Sequence, residues 1–139
     1  MGSVKTGVAL PEDVMKEFDR LIKSLGYKSR SRAFQDAVQL FISMHKWVDT
    51  KGYIAGCVVV IYDHGEHGVE EELTDIQHKY LNVISAAMHV HLSSNLCMLI
   101  IAVRGDVEVV KRFHSELGGI KGVRHIQTAF TVLPGFNNG

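Results

Sequence analysis

The sequence has little cysteine, no net charge and no long apolar run. Cys57 and Cys97 are the only two cysteines, too few for a disulfide framework, so reduced thiols and a cytoplasmic location are the favoured interpretation. No stretch of about 20 apolar residues could cross a membrane, and no secretory signal pattern opens the chain. A formal net charge of zero gives no indication of a nucleic-acid partner. These absences favour a soluble protein of one ordinary domain or two very small ones.

Residues 1–50 carry the pattern of one strand followed by two helices. Residues 4–10 alternate as a short strand, and Pro11 suits the start of a helix that Gly26 ends. Ser29 or Ser31 then caps a second amphipathic helix that continues to about residue 47. Elements this short cannot bury their apolar stripes alone. A dimer solves this, with two strands paired into a ribbon and four helices sharing one core.

This N-terminal pattern resembles the ribbon-helix-helix family, and the Gly26-Tyr27 turn before Ser29-Arg30-Ser31 carries the resemblance. The resemblance implies binding to double-stranded DNA, with the ribbon in the major groove and the N-terminus of the second helix on phosphate. The implied DNA-binding residues lie on the outward face of the ribbon and at the start of the second helix: Lys5, Gly7, Ala9, Lys28, Ser29 and Arg30. Gly7 and Ala9 have no polar side chain to read a base edge, which predicts poor or altered sequence readout.

Residues 51–139 alternate between strand and helix patterns in the order βαββαβ. The predicted strands cover residues 53–63, 86–92, 96–103 and 123–133. Helices are predicted after Gly68 and after Gly105-Asp106, and Pro134 begins a tail that we expect to be loose. This order is the ferredoxin-like arrangement of ACT domains. The predicted fold class is therefore α+β, with a ribbon-helix-helix domain at 1–50 and an ACT-type domain at 51–139.

Within the second domain, His89 and His91 are separated by one residue, and Cys97 follows six residues later. In a strand both imidazoles point to one side, while Met88, Val90 and Leu92 are expected to point into a core. Two histidines on a half-exposed strand need no function, but a thiolate from the next strand makes a metal site the sharper hypothesis. His78 is predicted to face away from its own sheet, and it could add a third imidazole if ACT-like domains pack through that surface. Three imidazoles and one thiolate in a plane suit nickel or copper, and tetrahedral zinc remains chemically open.

The whole pattern resembles the nickel-responsive repressor family NikR. Gln77-His78, His89-Val90-His91 and Cys97 carry the resemblance, together with both modules. It implies a Ni(II) site built from His89, His91 and Cys97 of one subunit and His78 of its neighbour. It further implies a homotetramer, a dimer of dimers, in which Ni(II) promotes repressor binding to a palindromic operator.

The chain departs from this family at two positions. Leu99 stands where the family is expected to have an acidic residue near the metal. Arg32 stands where the family more often has glutamate, one helical turn before Asp36, so a secondary cation site there is weakened or replaced by the guanidinium. Tyr62 and His64 are implied as accessory groups at the periphery of the metal site.

A second hypothesis comes from a different class of protein. In it the chain is a ferredoxin-like metal-binding protein whose ribbon has weakened or lost its sequence-specific DNA readout, as Gly7 and Ala9 suggest. A third, a Cys-His hydrolase using Cys97 and His89, lacks an orienting acid and an oxyanion hole. The sequence therefore predicts a protein that is not an enzyme.

Overall fold

A computed structural model describes residues 2–133, so the predicted loose tail from Pro134 lies outside the described residues. Four helices and four strands follow in the order α1 (Glu12–Ser24), α2 (Arg30–His45), β1 (Tyr53–Asp63), α3 (Val69–Lys79), β2 (Ile84–His91), β3 (Leu96–Asp106), α4 (Val107–Gly118) and β4 (Val123–Leu133), with a 3-10 turn at Lys46–Asp49. The chain forms two compact units, Met1–Ser43 and Met44–Gly139. The predicted domain boundary at residue 50 stays a prediction.

The helices of the N-terminal unit begin and end at residues that the sequence predicts. Gly26 adopts a left-handed φ of 81°, and its N–H donates to Lys23 O at 3.1 Å while that of Tyr27 donates to Ile22 O at 3.0 Å. These two bonds are the Schellman arrangement that closes a helix. Ser29, rather than Ser31, caps α2, since its Oγ accepts the N–H of Arg32 at 3.2 Å.

The predicted strand at residues 4–10 is not formed. Residues 2–10 are exposed and belong to neither a helix nor a strand. A strand exists through hydrogen bonds to a neighbouring strand, and a ribbon that two chains build together cannot form in one chain. The prediction of a strand is thus wrong for the single chain.

The second unit is a four-stranded antiparallel sheet in the order β2-β3-β1-β4, which confirms the predicted βαββαβ arrangement. Both helices cover the same face of this sheet. Their buried residues, which include Leu73 of α3 and Phe113 of α4, pack against the fully buried Ile54, Val58 and Ile101 of the central strands. The opposite face of the sheet is only partly covered within the chain.

The face that the helices cover is the one that holds the predicted metal ligands. Cys97 pairs with both His91 and Tyr62 in the sheet, and Leu99 pairs with His89. Met88 and Leu92 are 59% and 49% exposed, and Val90 is half-buried on the uncovered face. The expectation that these three residues point into a core is therefore wrong for the single chain, because the helices lie on the histidine side.

Gly56 lets β1 and β4 approach closely, and replacing it should destabilise the domain. A Cβ at this position would lie 1.9 Å from the carbonyl oxygen of Ala129, so the two strands would have to separate. Gly56→Ala is expected to lower the free energy of unfolding by about 3 kcal/mol or more, measured by urea denaturation. Gly118→Ala is the control, since its Cβ would make only an ordinary 3.9 Å contact with Ile126; equal losses in the two variants would contradict the close approach.

Candidate metal centre

The hairpin between β2 and β3 brings His91 and Cys97 together. Its turn closes with the N–H of Leu92 donating to Leu96 O at 2.9 Å, and this register places His91 directly opposite Cys97. Since side chains alternate along a strand, His89 lies on the same face as His91, two residues further from the turn. The six-residue spacing between His91 and Cys97 is therefore the spacing of a hairpin pair.

His89, His91 and Cys97 form the group of metal-ligating side chains that the described residues bring together. One candidate ligand atom from each lies within 4.8 Å of the other two, and Cys97 Sγ is 3.4 Å from His91 Nδ1. Metal–nitrogen bonds of about 2.1 Å and metal–sulfur bonds of about 2.3 Å allow a nitrogen and a sulfur ligand to be up to about 4.4 Å apart. A small side-chain rotation would thus let all three bind one ion. Cys97 is fully buried whereas both histidines are exposed, so the group is open to solvent on its histidine side.

Tyr62 connects this group to α3. Its hydroxyl oxygen lies 2.9 Å from His89 Nε2 and donates to Glu70 Oε1 at 3.3 Å. Burial, followed by the charge of Glu70, raises the pKa of Tyr62 well above its usual range, so the hydroxyl keeps its proton at neutral pH. These three side chains line a cavity of about 290 Å³ between α3 and the sheet.

Two further predicted residues lie away from the three-residue group. His78 is exposed in the last turn of α3 and lines a second cavity, of about 380 Å³, beside the start of β2. His64 follows β1, where its ring nitrogen contacts the carbonyl oxygen of Ser94. Neither residue belongs to the metal-ligating group found among residues 2–133.

Residues 55–131, more than half of the chain, match the family described as "NikR C terminal nickel binding domain". The chain belongs to the NikR family. Proteins named "Putative nickel-responsive regulator" from Dictyoglomus turgidum and Pyrococcus furiosus are 44% and 35% identical to it, covering 92% and 94% of this chain and 95% of each relative. The family consists of regulators rather than enzymes, as predicted, and its members are named for their response to nickel.

A solved structure of an uncharacterized protein from Thermotoga maritima shares part of this fold. It superimposes with a TM-score of 0.50 at 15% identity, covering 58% of this chain and 96% of that one. At this low sequence identity, the similarity shows only a shared fold. In addition, no helix among residues 2–133 is long and apolar enough to cross a membrane.

The residues predicted to bind DNA lie in the N-terminal unit. Lys5, Gly7 and Ala9 are exposed in the segment before α1, and Lys28 is exposed before α2. Ser29 has its oxygen committed to the cap of α2. Arg30 forms a two-bond ion pair with Asp19, at 2.7 and 3.0 Å, so its guanidinium is held at the start of α2. How any of these residues meets DNA stays a prediction.

Both oxygens of the Asp36 carboxylate have partners within the N-terminal unit. Arg32 Nε lies 3.2 Å from Asp36 Oδ1, and the Tyr27 hydroxyl donates to Asp36 Oδ2 at 2.7 Å. The carboxylate also raises the pKa of Tyr27. Where the NikR resemblance implies a secondary cation, Asp36 therefore already has a cationic partner of its own.

Sequence reasoning missed Glu70 as a residue of this centre. In the sequence it is one of three consecutive glutamates, Glu70–Glu72, in the first turn of a helix. Nothing in that run distinguishes its first member from the other two. Only the packing of α3 over β1 shows that Glu70 contacts Tyr62.

Proposed function

We propose that the chain is a nickel-dependent transcriptional repressor. His89, His91 and Cys97 of one subunit and His78 of a neighbouring subunit bind Ni(II), in a homotetramer that grips a palindromic operator. The group of three ligands carries this proposal, because it lies in the family's nickel-binding region and lacks one donor for a four-coordinate ion. When bound, nickel would join donors from two subunits and favour one arrangement of the tetramer.

The placement of the two cavities supports a site shared across a two-fold axis. Ala87, in the middle of β2, lines both cavities. His78 lies beside one half of β2, and His89 and His91 occupy the other half. A two-fold contact is reciprocal, so any pair of residues that meets across it meets twice. If two subunits pack in this way near Ala87, His78 of each subunit would approach the histidine pair of the other. Two equivalent sites would result.

Exposed apolar side chains in the N-terminal unit support the proposal that a partner chain covers them. Ala33 is the buried residue of that unit among those described, although Phe18 and Phe34 stack at 4.7 Å between its helices. Val4 and Val8 are 92% and 72% exposed. A second copy would pair with the segment before α1 and cover these apolar side chains. That segment would then present Lys5 in a groove of the DNA, and Lys28 and Arg30 would lie near phosphate.

The decisive experiment is DNA affinity with and without nickel. A duplex selected from a random pool by the nickel-loaded protein provides the binding site, and fluorescence anisotropy at fixed salt measures Kd. We expect stoichiometric Ni(II) to raise the DNA affinity at least about tenfold. A change of this size lies within the usual range of coupling free energies between two binding sites. An unchanged Kd in a protein that does bind nickel would overturn the repressor proposal.

Lys5 should contribute to DNA affinity without affecting nickel. Lys5→Ala is expected to weaken DNA binding of the nickel-loaded protein. The slope of log K against log salt concentration should become shallower by about one unit for each phosphate that Lys5 neutralises. Nickel affinity should stay unchanged. Lys121→Ala is the matched control, since Lys121 is an exposed lysine of the second unit that pairs with Glu66. If both variants weaken DNA binding equally, Lys5 has no specific role at the DNA.

The second candidate function is a metal-binding protein without sequence-specific readout. The exposed Gly7 and Ala9 favour it, because neither offers a donor or acceptor to a base edge. It predicts tight nickel binding together with DNA binding that is weak and equal on selected and random duplexes. The selection experiment therefore separates the two functions.

A further inference from the structure

We propose that Glu70 positions His89 for metal binding through the Tyr62 hydroxyl, so that the imidazole carries its proton on Nε2 and offers Nδ1 to the metal. The inference deepens the proposed function and rests on its metal site. Glu70 would be a positioning residue, since it acts through Tyr62 and does not itself reach the ligand group.

The proton assignment follows from the contacts that the Tyr62 hydroxyl makes with Glu70 and His89. Its hydroxyl oxygen lies 3.3 Å from Glu70 Oε1 and 2.9 Å from His89 Nε2. A carboxylate only accepts hydrogen bonds, and a phenol has one proton to donate. Tyr62 therefore donates to Glu70 and accepts from His89, which requires a proton on Nε2. In a neutral imidazole this leaves the lone pair on Nδ1, and a metal binds a ring nitrogen through its lone pair.

Among the residues around His89, Glu70 is the one suited to position its imidazole in this way. Leu99 lies opposite His89 in the sheet and is almost fully buried, but its side chain accepts no hydrogen bond. Gln77 donates its amide to Leu73 O at 3.1 Å. Glu70 is the one carboxylate among the described residues that line the cavity.

The same chain of hydrogen bonds connects the metal ligand to α3. Glu70 lies in the first turn of α3 and His78 in its last. Because a helix is rigid over three turns, the orientation of His89 in one subunit is linked to the helix that presents His78 to a neighbour. Partners outside the ligand shell commonly change metal affinity by about 10–100-fold, which sets the size of the expected effect.

The experiment compares Glu70→Gln, Tyr62→Phe and the double variant, with Glu71→Gln as the control. Glu71 is an exposed glutamate in the same helical turn, so its change removes the same charge. The tautomer of His89 is determined from ring ¹⁵N shifts in the metal-free protein at about pH 8. Nickel affinity is measured by competition with a chelator of known affinity.

The wild-type protein and the control should show His89 protonated on Nε2 with equal nickel affinity. Glu70→Gln and Tyr62→Phe should populate both tautomers and lose about 10-fold and up to about 100-fold in affinity, respectively. The double variant should bind as Tyr62→Phe does, because Glu70 acts only through that hydroxyl.

Three results would overturn the inference. These are a wild-type His89 protonated on Nδ1, a Glu70→Gln affinity equal to that of the control, and a full additional loss from Glu70→Gln in the Tyr62→Phe background. A wild-type protein that binds no nickel would instead overturn the proposed function. The tautomer measurement needs no metal, so the two failures are distinguishable.

Discussion

Replacing Cys97 with alanine should abolish the thiolate-to-nickel charge-transfer absorption and weaken nickel binding on the order of a thousandfold. Cys97 is fully buried and its Sγ lies 3.4 Å from His91 Nδ1, so a metal ion bound by that imidazole would lie within reach of the sulfur. Structural metal sites with four ligands bind with about 10–16 kcal/mol, and a quarter of that energy corresponds to two or three powers of ten in affinity. Absorption titration with Ni(II) measures both effects.

Cys57→Ala is the matched control for this experiment. Cys57 is the other cysteine of the chain, and it pairs with Ala102 in the sheet on the face opposite to Cys97. Its replacement should leave the absorption band and the affinity unchanged. A band that survives in Cys97→Ala and disappears in Cys57→Ala would exclude Cys97 as the ligand.

Replacing His78 with alanine should weaken nickel binding and nickel-dependent tetramer order together. His78 is exposed and does not join the three-residue group within one chain, and the proposed site takes it from a neighbouring subunit. We expect a loss of about a hundredfold or more in affinity, the share of one ligand in four. Ultracentrifugation with and without nickel measures the oligomer. His67→Ala, which changes an exposed histidine before α3, is the control.

A mixing experiment tests directly whether the site is shared. Subunits with His78→Ala keep His89, His91 and Cys97, and subunits with Cys97→Ala keep His78. Unfolding and refolding the two variants together should restore strong nickel binding in a fraction of the sites, although each variant alone binds weakly. A site built within one subunit would show no restoration, and that result would contradict the two-subunit arrangement.

Local signals allowed the sequence to predict the helix ends and the order of elements. A glycine at Gly26 and a serine at Ser29 act through bonds to neighbouring backbone groups, so their roles can be inferred without knowing the fold. The expectation of a thiolate from the next strand was also local, and the structure places Cys97 directly opposite His91. The structure brings together three of the four predicted ligands.

The orientation of the sheet could not be predicted in this way. Alternation shows that Met88 and Val90 lie opposite His89 and His91, but it does not show which face the helices cover. That depends on packing between elements far apart in sequence. The role of Glu70 was hidden for a similar reason, because three consecutive glutamates look alike until the packing of α3 selects one of them.

The uncovered N-terminal unit has a thermodynamic consequence. A segment that buries only Ala33 among its described residues gains little from folding alone, so in the proposed dimer association would supply most of its stability. Such a unit obeys mass action, and its unfolding midpoint rises with total protein concentration. The concentration of the protein in the cell would then set how much of the N-terminal unit is folded, independently of the nickel supply.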